Sequence, residues 1–311
     1  MNKFSELFEG GTPQMQKKKK VTFAVMCVTA ALIAAMILFL AIFGIASLLS
    51  KNKKLEGENE PANIGSTTTI TLSENNLYSG NLLVLDENNT FKGTPSLVNL
   101  QSYSGRSKKT EQEGGGNTYT ILSANRTGFM ATDAAASALN KMLGAFYKSA
   151  KDDNIFIAAA YNKTDEDTQK AVYSSGEAFE LMYFHDYDTN KMNDQRSIAG
   201  VQLYSWIYTN AYKYGFVTVG GSDSNVFRYV GIVHSNAMKQ NNLSFDQYIE
   251  NIKQYTPDSP LKVTASGVSY AISFLAKDAE HIIPEKYEYT VSGNNVDGYI
   301  ITVNLSKKVT N

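Results

Sequence analysis

The sequence predicts an α+β fold, a small antiparallel sheet flanked by helices, carried on a single N-terminal transmembrane helix. Three observations support this prediction. An uncharged apolar run fills residues 21–49, helix-like and strand-like patterns alternate irregularly after residue 76, and the chain ends in two strand-like segments around a polar turn. No internal repeat is present, and irregular mixing of elements is typical of α+β domains.

The apolar run at 21–49 is long enough to span a bilayer, which takes about 20 apolar residues. It exceeds the roughly 7–15 apolar residues of a secretory signal, so we expect an uncleaved anchor, although the small residues Gly44 and Ala46 leave cleavage open. Five lysines precede the run, Lys3 and Lys17 to Lys20, and three follow it. This bias predicts a cytoplasmic tail at 1–20 and an extracytoplasmic C-terminal part, with the reversed orientation as the alternative.

Composition excludes some classes of function. The 311 residues are 43% hydrophobic with a formal charge of −1, so a packed domain is expected and nucleic-acid binding is not. The only cysteine, Cys27, lies inside the apolar run. The part of the chain after this run therefore contains neither a disulfide nor a thiolate metal site.

The segments after the membrane run follow in order. Residues 50–75 are polar and predict a stalk. Residues 81–86 predict a strand, and residues 104–117, which contain three consecutive glycines, predict an exposed loop. Thr132 is placed to cap a helix whose inner face repeats apolar side chains at helical spacing: Leu139, Met142, Leu143, Phe146 and Ala150.

The second half of the chain predicts more elements. Residues 154–161 have the length of a buried strand, and 165–175 read as a helix with an acidic start. The longest helix is predicted at 195–215, ended by Gly215. Its inner face is predicted to carry Leu203, Trp206, Ile207 and Ala211.

Further strands are predicted at 216–219 and 227–233. Ser244 and Gln247 form the capping box of a helix at 243–254. Strands at 286–291 and 299–304, joined by 292–298, give a C-terminal hairpin. The folded domain is thus predicted to cover residues 76–311.

Four segments, 204–217, 227–238, 243–250 and 289–303, together resemble the VanY-type D-alanyl-D-alanine carboxypeptidases, and the resemblance extends over roughly residues 80 to 305. This resemblance implies a carboxypeptidase-like fold and a zinc site that trims cell-wall peptides. In that family a Ser-Gly-Tyr-Arg-Ser segment supplies an arginine for the substrate carboxylate. A Ser-x-His-x-x-Gly-x-x-x-Asp segment supplies two zinc ligands, and a Glu-x-x-His segment supplies the catalytic base and the third ligand.

Carried over position by position, the resemblance places different residues at each of these sites. Asn162 stands for the arginine, Gln169 for a glutamine near the substrate, Gly176 for the first histidine and Tyr183 for the aspartate. Asp223 stands for the glutamate and Val226 for the last histidine. We therefore expect a degenerate pocket at these six positions, no bound zinc or other cofactor, and no confident catalytic residue.

The three histidines offer little to replace the zinc ligands. His185 lies beside Asp186 and Asp188 and is the one candidate for an altered metal site, although a third ligand is not evident. His234 matches a family histidine that is not a ligand, and His281 reads as a surface or edge residue. No Gly-x-Ser-x-Gly nucleophile elbow is present.

Three functions remain at this point. The favoured one is a non-catalytic, membrane-anchored extracytoplasmic domain that binds a cell-wall peptide or a partner protein. The first alternative is an active peptidoglycan carboxypeptidase with an altered metal site. The second alternative is a structural subunit of an envelope complex. In each case the expected contacts are the membrane, through residues 21–49, and an envelope component.

Overall fold

A computed structural model describes residues 64–100, 110–111, 117–118, 122–123, 128–152, 154–163, 171–184 and 195–309. The chain divides into two units, Met1–Lys53 and Lys54–Asn311, and every described residue belongs to the second. Across these described ranges, no helix is long and apolar enough to cross a membrane. The predicted span at 21–49, the tail before it and nearly all of the predicted loop at 104–117 lie outside them.

Short strands and helices alternate along the described chain. The strands are β1 (Thr67–Ile70), β2 (Leu97–Asn99), β3 (Thr110–Glu111), β4 (Asn117–Thr118), β5 (Leu122–Ser123), β6 (Phe129–Thr132), β7 (Ile155–Ala159), β8 (Tyr161–Asn162), β9 (Ala178–Phe184), β10 (Gln195–Ser197), β11 (Phe216–Thr218), β12 (Val226–Tyr229), β13 (Leu261–Ala265), β14 (Val268–Ala276), β15 (His281–Pro284), β16 (Tyr287–Gly293) and β17 (Gly298–Lys308). The α-helices are α1 (Glu74–Leu77), α2 (Asp133–Ala150), α3 (Ser205–Asn210), α4 (Ile232–Asn241) and α5 (Phe245–Ile252). Single 3₁₀ turns occupy Ala171–Tyr173, Gln202–Tyr204 and Ala211–Tyr214.

The largest sheet has six strands in the order β11-β12-β9-β7-β5, with β10 also paired to β9. All its pairs are antiparallel except β5 with β7. One face packs against α2, whose inner side chains Leu139, Met142 and Phe146 are buried as predicted. The hydroxyl of Thr132 accepts a hydrogen bond from the Ala135 amide, which confirms the predicted cap. Among the described residues of the predicted site, Tyr183 and Val226 lie in this sheet, Gly176 lies two residues before β9, and Asn162 and Asp223 lie elsewhere.

A second sheet, β13-β14-β17-β16, forms the C-terminal part and contains the predicted hairpin of β16 and β17. Helices α4 and α5 cover one face, where Tyr248 and Ile249 pack with Ile272 and Ile300. The helix α5 begins with the capping box predicted at Ser244 and Gln247. The fold therefore contains several small antiparallel sheets, including a two-stranded β1–β15 ribbon and a three-stranded β2-β6-β8 sheet, where one sheet was predicted.

The prediction of a stalk up to residue 75 is wrong from Ile64 onward. Ile64 and Leu77 pack on the other face of the C-terminal sheet, and β1 pairs with β15. The run of three threonines in β1 reads as a linker because its side chains are exposed. Threonine is nevertheless a good strand former, so pairing with β15 decides the conformation.

The strand predicted at 81–86 is also wrong, although its apolar residues are correctly placed inside. Leu82 and Leu83 are fully buried. The Leu82 amide donates to Ser292 Oγ at 3.0 Å, and the Val84 amide donates to the Asn294 carbonyl at 2.9 Å. Bonding to these two separate points of the hairpin satisfies the backbone without a strand ladder.

The predicted long helix at 195–215 is wrong as a single element. Its first residues form β10 on the edge of β9, and only Ser205–Asn210 is α-helical, flanked by 3₁₀ turns. Ile207 and Ala211 are buried as predicted, but Leu203 is 44% exposed. Gly215 ends the segment in a left-handed conformation, as predicted.

Two shorter differences concern neighbouring elements. Most of the helix predicted at 165–175 lies outside the described residues, and Ala171–Tyr173 forms a 3₁₀ turn. The strand predicted at 227–233 ends at Tyr229, because α4 begins at Ile232 directly after Gly231.

Candidate functional site

The candidate site lies on one face of the pairing between β9 and β12. Val226 is the cross-strand partner of Glu180, and Arg228 is the partner of Ala178. Val226 packs with the buried residues Ala159, Tyr173 and Ala178. Phe179 and Phe227 alternate with these residues and belong to the core on the opposite face.

Tyr183, which the sequence placed at the zinc-binding aspartate, is on the wrong face of the sheet for this role. It follows Phe179 and Leu181 at every second position, packs on the same core, and lies 4.9 Å from the Tyr204 ring centroid. Val226 is on the other face, so the structure does not bring Tyr183 and Val226 together. The assignment of Tyr183 is therefore corrected.

Gly176, which the sequence placed at the first histidine, has a backbone conformation that strains other residues and a neighbour that a side chain would displace. Its φ is +76°, and a Cβ at this position would collide with the side chain of Leu97. Its carbonyl accepts a hydrogen bond from the Thr132 amide at 2.9 Å, which fixes the backbone there. These constraints explain why this position is a glycine and correct its assignment as a lost histidine.

A shift of three residues in the Ser-x-His-x-x-Gly-x-x-x-Asp pattern reconciles sequence and structure. Gly176 then occupies the glycine of the pattern, Tyr173 the histidine and Glu180 the aspartate. The Glu180 carboxylate is close enough to Tyr173 to raise the pKa of its phenol, and Glu180 is opposite Val226. We refer to Tyr173, Glu180 and Val226 as the Tyr173 cluster. Tyr173 and Glu180 were not predicted as site residues from the sequence, although their spacing from Gly176 fits the pattern.

The electrostatics of the Tyr173 cluster keep its phenol protonated. Burial, followed by the charge and hydrogen bond of Glu180, raises the pKa of Tyr173 far above its usual value. Only 1% of Tyr173 is exposed. The cluster thus offers one carboxylate, one neutral phenol and one valine.

These three residues do not fit a zinc ion of the kind that the family resemblance implies. Such a catalytic site takes three protein ligands from histidine, carboxylate or thiolate groups. Val226 has no donor atom, and the buried phenol of Tyr173 is a poor ligand because its raised pKa keeps it protonated. In the described part of the chain, no three side chains of histidine, cysteine, aspartate or glutamate converge. His185, Asp186, Asp188 and Gln169 lie outside that part.

Asn162 and Asp223 lie apart from the Tyr173 cluster. Asn162 is buried on β8 in the three-stranded sheet, opposite Phe129. Asp223 is exposed in the turn between β11 and β12, where it accepts a hydrogen bond from Ser222 Oγ at 3.3 Å. Burial, with the Asp223 charge as the second cause, raises the pKa of Tyr208 to about 12.

A buried ion pair next to the cluster was not predicted. Glu177 Oε2 lies 4.0 Å from Arg228 Nη2, and both side chains are almost fully buried. Burial raises the pKa of Glu177 to about 8, against the opposing effects of Arg228 and Ser175. Arg228 also donates to the Asn81 carbonyl at 3.4 Å and lies over the Phe245 ring, 4.5 Å from its centroid. The pair thereby ties β9 and β12 to the C-terminal helices.

The two described histidines are structural. His234 is bonded through Nδ1 to the Tyr248 hydroxyl at 2.8 Å and through Nε2 to the Thr302 hydroxyl at 3.1 Å. His281 is buried rather than at the surface, stacks edge-on against Tyr299, and accepts a hydrogen bond from the Leu72 amide at 3.2 Å. Neither residue faces the Tyr173 cluster.

Comparison with known proteins identifies relatives. No protein-family model matches the chain. A D-alanyl-D-alanine carboxypeptidase from Enterococcus faecium is 26% identical over 262 residues, which cover 76% of this chain and 79% of the relative.

Solved structures extend the comparison to the fold. The vancomycin-resistance D,D-dipeptidase VanXYg, solved with a D-Ala-D-Ala phosphinate analogue, matches with a TM-score of 0.55 and 20% identity over 77% of this chain and 100% of that one. A vancomycin-resistance D,D-pentapeptidase VanY solved with Zn(II) has 13% identity and a TM-score of 0.31, over 54% of this chain and 98% of that one, which is too low to show a common fold. The sequence match and the shared fold agree with the resemblance carried by residues 204–217 and 227–238. The chain is therefore a relative of the VanY-type D-alanyl-D-alanine carboxypeptidases.

Proposed function

We propose that this chain is a membrane-anchored, carboxypeptidase-like domain that binds a cell-wall peptide or an envelope protein without hydrolysing it. The observation that supports this most directly is Val226, an apolar side chain opposite Glu180 at the position of a zinc ligand. The relation to D-alanyl-D-alanine carboxypeptidases motivates the choice of ligand.

The chemistry of the cluster supports the absence of hydrolysis. A zinc peptidase generates its nucleophile by lowering the pKa of a metal-bound water, and a nearby carboxylate takes the proton. The Glu180 carboxylate instead lies near the buried Tyr173 phenol, and the exposed Asp223 lines a cleft together with Phe227, which is on the face opposite Val226. No described residue assumes the ligand role that Val226 lacks.

Asn162 fits a binding role better than a catalytic one. An arginine holds a carboxylate with two charged hydrogen bonds, whereas an amide offers a weaker neutral contact. We therefore expect a cell-wall peptide to bind more weakly here than in an active carboxypeptidase. The predicted span at 21–49 and the lysine bias place this domain, in our proposal, on the outer side of the membrane.

The alternative of an active peptidase with an altered metal site rests on the retained carboxylate of Glu180. The two functions separate in one experiment on the full-length chain, purified in detergent after metal-free dialysis. Its zinc content is measured by mass spectrometry, and its release of D-alanine from a cell-wall pentapeptide by a coupled assay. Thermal unfolding is then followed with increasing pentapeptide.

We expect less than stoichiometric zinc, no D-alanine release, and a saturable increase in Tm with pentapeptide or with an envelope protein. Stoichiometric zinc together with D-alanine release, both lost in the Glu180→Gln variant, would establish the active peptidase instead. Absence of hydrolysis and of any saturable Tm increase would favour a structural subunit of an envelope complex.

A further inference from the structure

A cleft of about 590 Å³ opens beside the outer strand of the largest sheet. One wall is formed by β11 and the turn that follows it, residues 216–223. The facing wall comes from α4 and the start of α5, with Met238, Lys239, Phe245 and Asp246. Phe216 and Phe227 belong to the core on the face opposite Val226, whereas Met238 and Phe245 pack in the cluster on the other face, so the cleft lies at the edge of the sheet. It is separate from the Tyr173 cluster, because Tyr173, Glu180 and Val226 do not line it.

The strand β11 presents an unpaired backbone edge. Its one neighbour among the described strands is β12. The Val219 amide donates to the Val226 carbonyl at 2.9 Å, and the Val230 amide donates to the Gly215 carbonyl at 2.8 Å. Because antiparallel hydrogen bonding alternates along a strand, Thr218 directs its N–H and C=O away from β12. An edge of this kind is a template for another strand.

The side chains of the cleft define what kind of strand fits. Phe216, Met238 and Phe245 are buried and form an apolar floor. Asp223 and Asp246 are exposed, and neither lies within 4.0 Å of a basic side chain of the described residues. Lys239 is the one basic residue among the described residues that line the cleft. The excess of carboxylates favours a ligand with positive charge on either side of an apolar centre.

We propose that the cleft binds an extended segment of a partner polypeptide, with apolar residues at its centre and basic residues beside them, which adds to the sheet as a strand next to β11. Main-chain hydrogen bonds to Thr218 provide affinity, and the apolar floor and the two carboxylates provide selectivity. This inference goes beyond the proposed function and does not depend on it, because the Tyr173 cluster takes no part in the cleft.

The test uses the full-length chain in a zwitterionic detergent and a fluorescein-labelled, blocked heptapeptide of valines and threonines with a lysine near each end. Binding is followed by fluorescence anisotropy. Thr218→Pro removes the outward N–H without touching the β11–β12 ladder, since Thr218 does not bond to β12. Thr218→Val is the matched control, because it keeps the N–H and the strand propensity. A peptide with glutamates in place of the lysines tests the charge preference.

We expect saturable binding that Thr218→Pro weakens at least about tenfold and Thr218→Val changes less than about twofold. The glutamate peptide is expected to bind at least about tenfold more weakly than the lysine peptide. Unchanged affinity in Thr218→Pro, equal affinity for the two peptides, or no binding at millimolar peptide would overturn the proposal.

A second measurement covers the case in which Thr218→Pro fails to fold. Hydrogen exchange of the backbone amides at Thr218 and Gly220 in the unmodified chain should slow on saturation with the lysine peptide. Unchanged exchange at both amides would show that no strand adds at this edge. Failure of the pentapeptide experiment above leaves this result unaffected, so the two proposals are judged separately.

Discussion

At the residue scale, the backbone at Gly176 sets the alignment of the site. Its φ of +76° strains any larger residue, and a Cβ would also require the Leu97 side chain to move, so we use Gly176 as the fixed point of the motif. From this fixed point, the spacing of the pattern leads to Tyr173 and Glu180. The charge of Glu180 contributes to the raised pKa of Tyr173, so these two side chains lie near each other.

Substitution of Gly176 by alanine tests this reasoning. We expect Gly176→Ala to lower the free energy of unfolding by about 2–4 kcal/mol, because backbone strain and a steric collision add together. Gly200→Ala is the control, since Gly200 has a similar φ of +73° and nothing within 4 Å of a Cβ. It should cost only about 1 kcal/mol in chemical denaturation. An equal loss of unfolding free energy in Gly176→Ala and Gly200→Ala would show that the Leu97 side chain moves aside without an energetic cost.

Restoration of a metal site distinguishes the two alignments. We expect the double variant Tyr173→His, Val226→His to bind zinc in a 1:1 ratio, because Glu180 then completes a three-ligand set. Val226→His alone should not, since it leaves two ligands at most. The matched control is Tyr183→His, Val226→His, whose histidines lie on opposite faces of the sheet. Zinc is measured by mass spectrometry after dialysis, and binding by this control alone would restore the first alignment.

His234 should make stability depend on pH. Burial lowers the pKa of His234 to about 4, from 6.5 in the unfolded chain. Between these values the unfolded state binds more protons than the folded state, so stability is full above pH 6.5 and falls as the pH decreases towards 4. The loss amounts to about 3 kcal/mol. Urea unfolding from pH 4 to pH 7 should show a slope that His234→Gln reduces, and an unchanged slope would contradict a buried, neutral His234.

At the element scale, the strand β1 joins the segment after the predicted membrane span to the C-terminal part of the domain. It pairs with β15, and the Leu72 amide donates a hydrogen bond to His281 Nδ1. Ile64 packs on one face of the C-terminal sheet. These contacts make the segment part of the domain, not a spacer.

Truncation at two points measures how much Ile64 and β1 contribute to the free energy of unfolding. A chain that begins at residue 61 keeps Ile64 and β1, whereas one that begins at residue 76 loses both. We expect the shorter chain to unfold at lower denaturant, with a loss of about 2–4 kcal/mol from exposed apolar surface and broken strand pairing. Equal midpoints and slopes in guanidinium chloride would show that the domain begins after β1.

Local signals predicted some elements and failed for others. Three features were predictable because each depends on residues close in sequence. They are the cap at Thr132, the capping box at Ser244 and the hairpin of β16 and β17. The helix at 195–215 was not predictable, because Gln195 to Ser197 pair with β9, which is distant in sequence. For the site, the adjacent strand motif fixes the position of Val226 in the alignment, whereas the placement of Gly176 depends on its φ angle and on Leu97, which only the structure gives.

At the scale of the whole molecule, the described part separates two surfaces with different chemistry. The Tyr173 cluster lies on one face of the β9–β12 pair, filled by Val226 and neighbouring apolar side chains. The cleft beside β11 lies at the edge of the sheet and has an unpaired strand edge among the described strands. None of the three cluster residues lines the cleft, so a substitution in the cluster is expected to leave peptide binding in the cleft unchanged.

Membrane topology determines which partners reach either surface. We expect the domain after the predicted span to lie outside the cytoplasm, because more lysines precede residues 21–49 than follow them. Cys27 is the only cysteine, so Cys27→Ala gives a cysteine-free chain in which single cysteines report location. In intact cells, an impermeant maleimide should label Lys307→Cys, an exposed position on β17, but Ser5→Cys only after lysis. The reverse pattern would place the cleft in the cytoplasm, where it could not meet an extracytoplasmic partner or a cell-wall peptide.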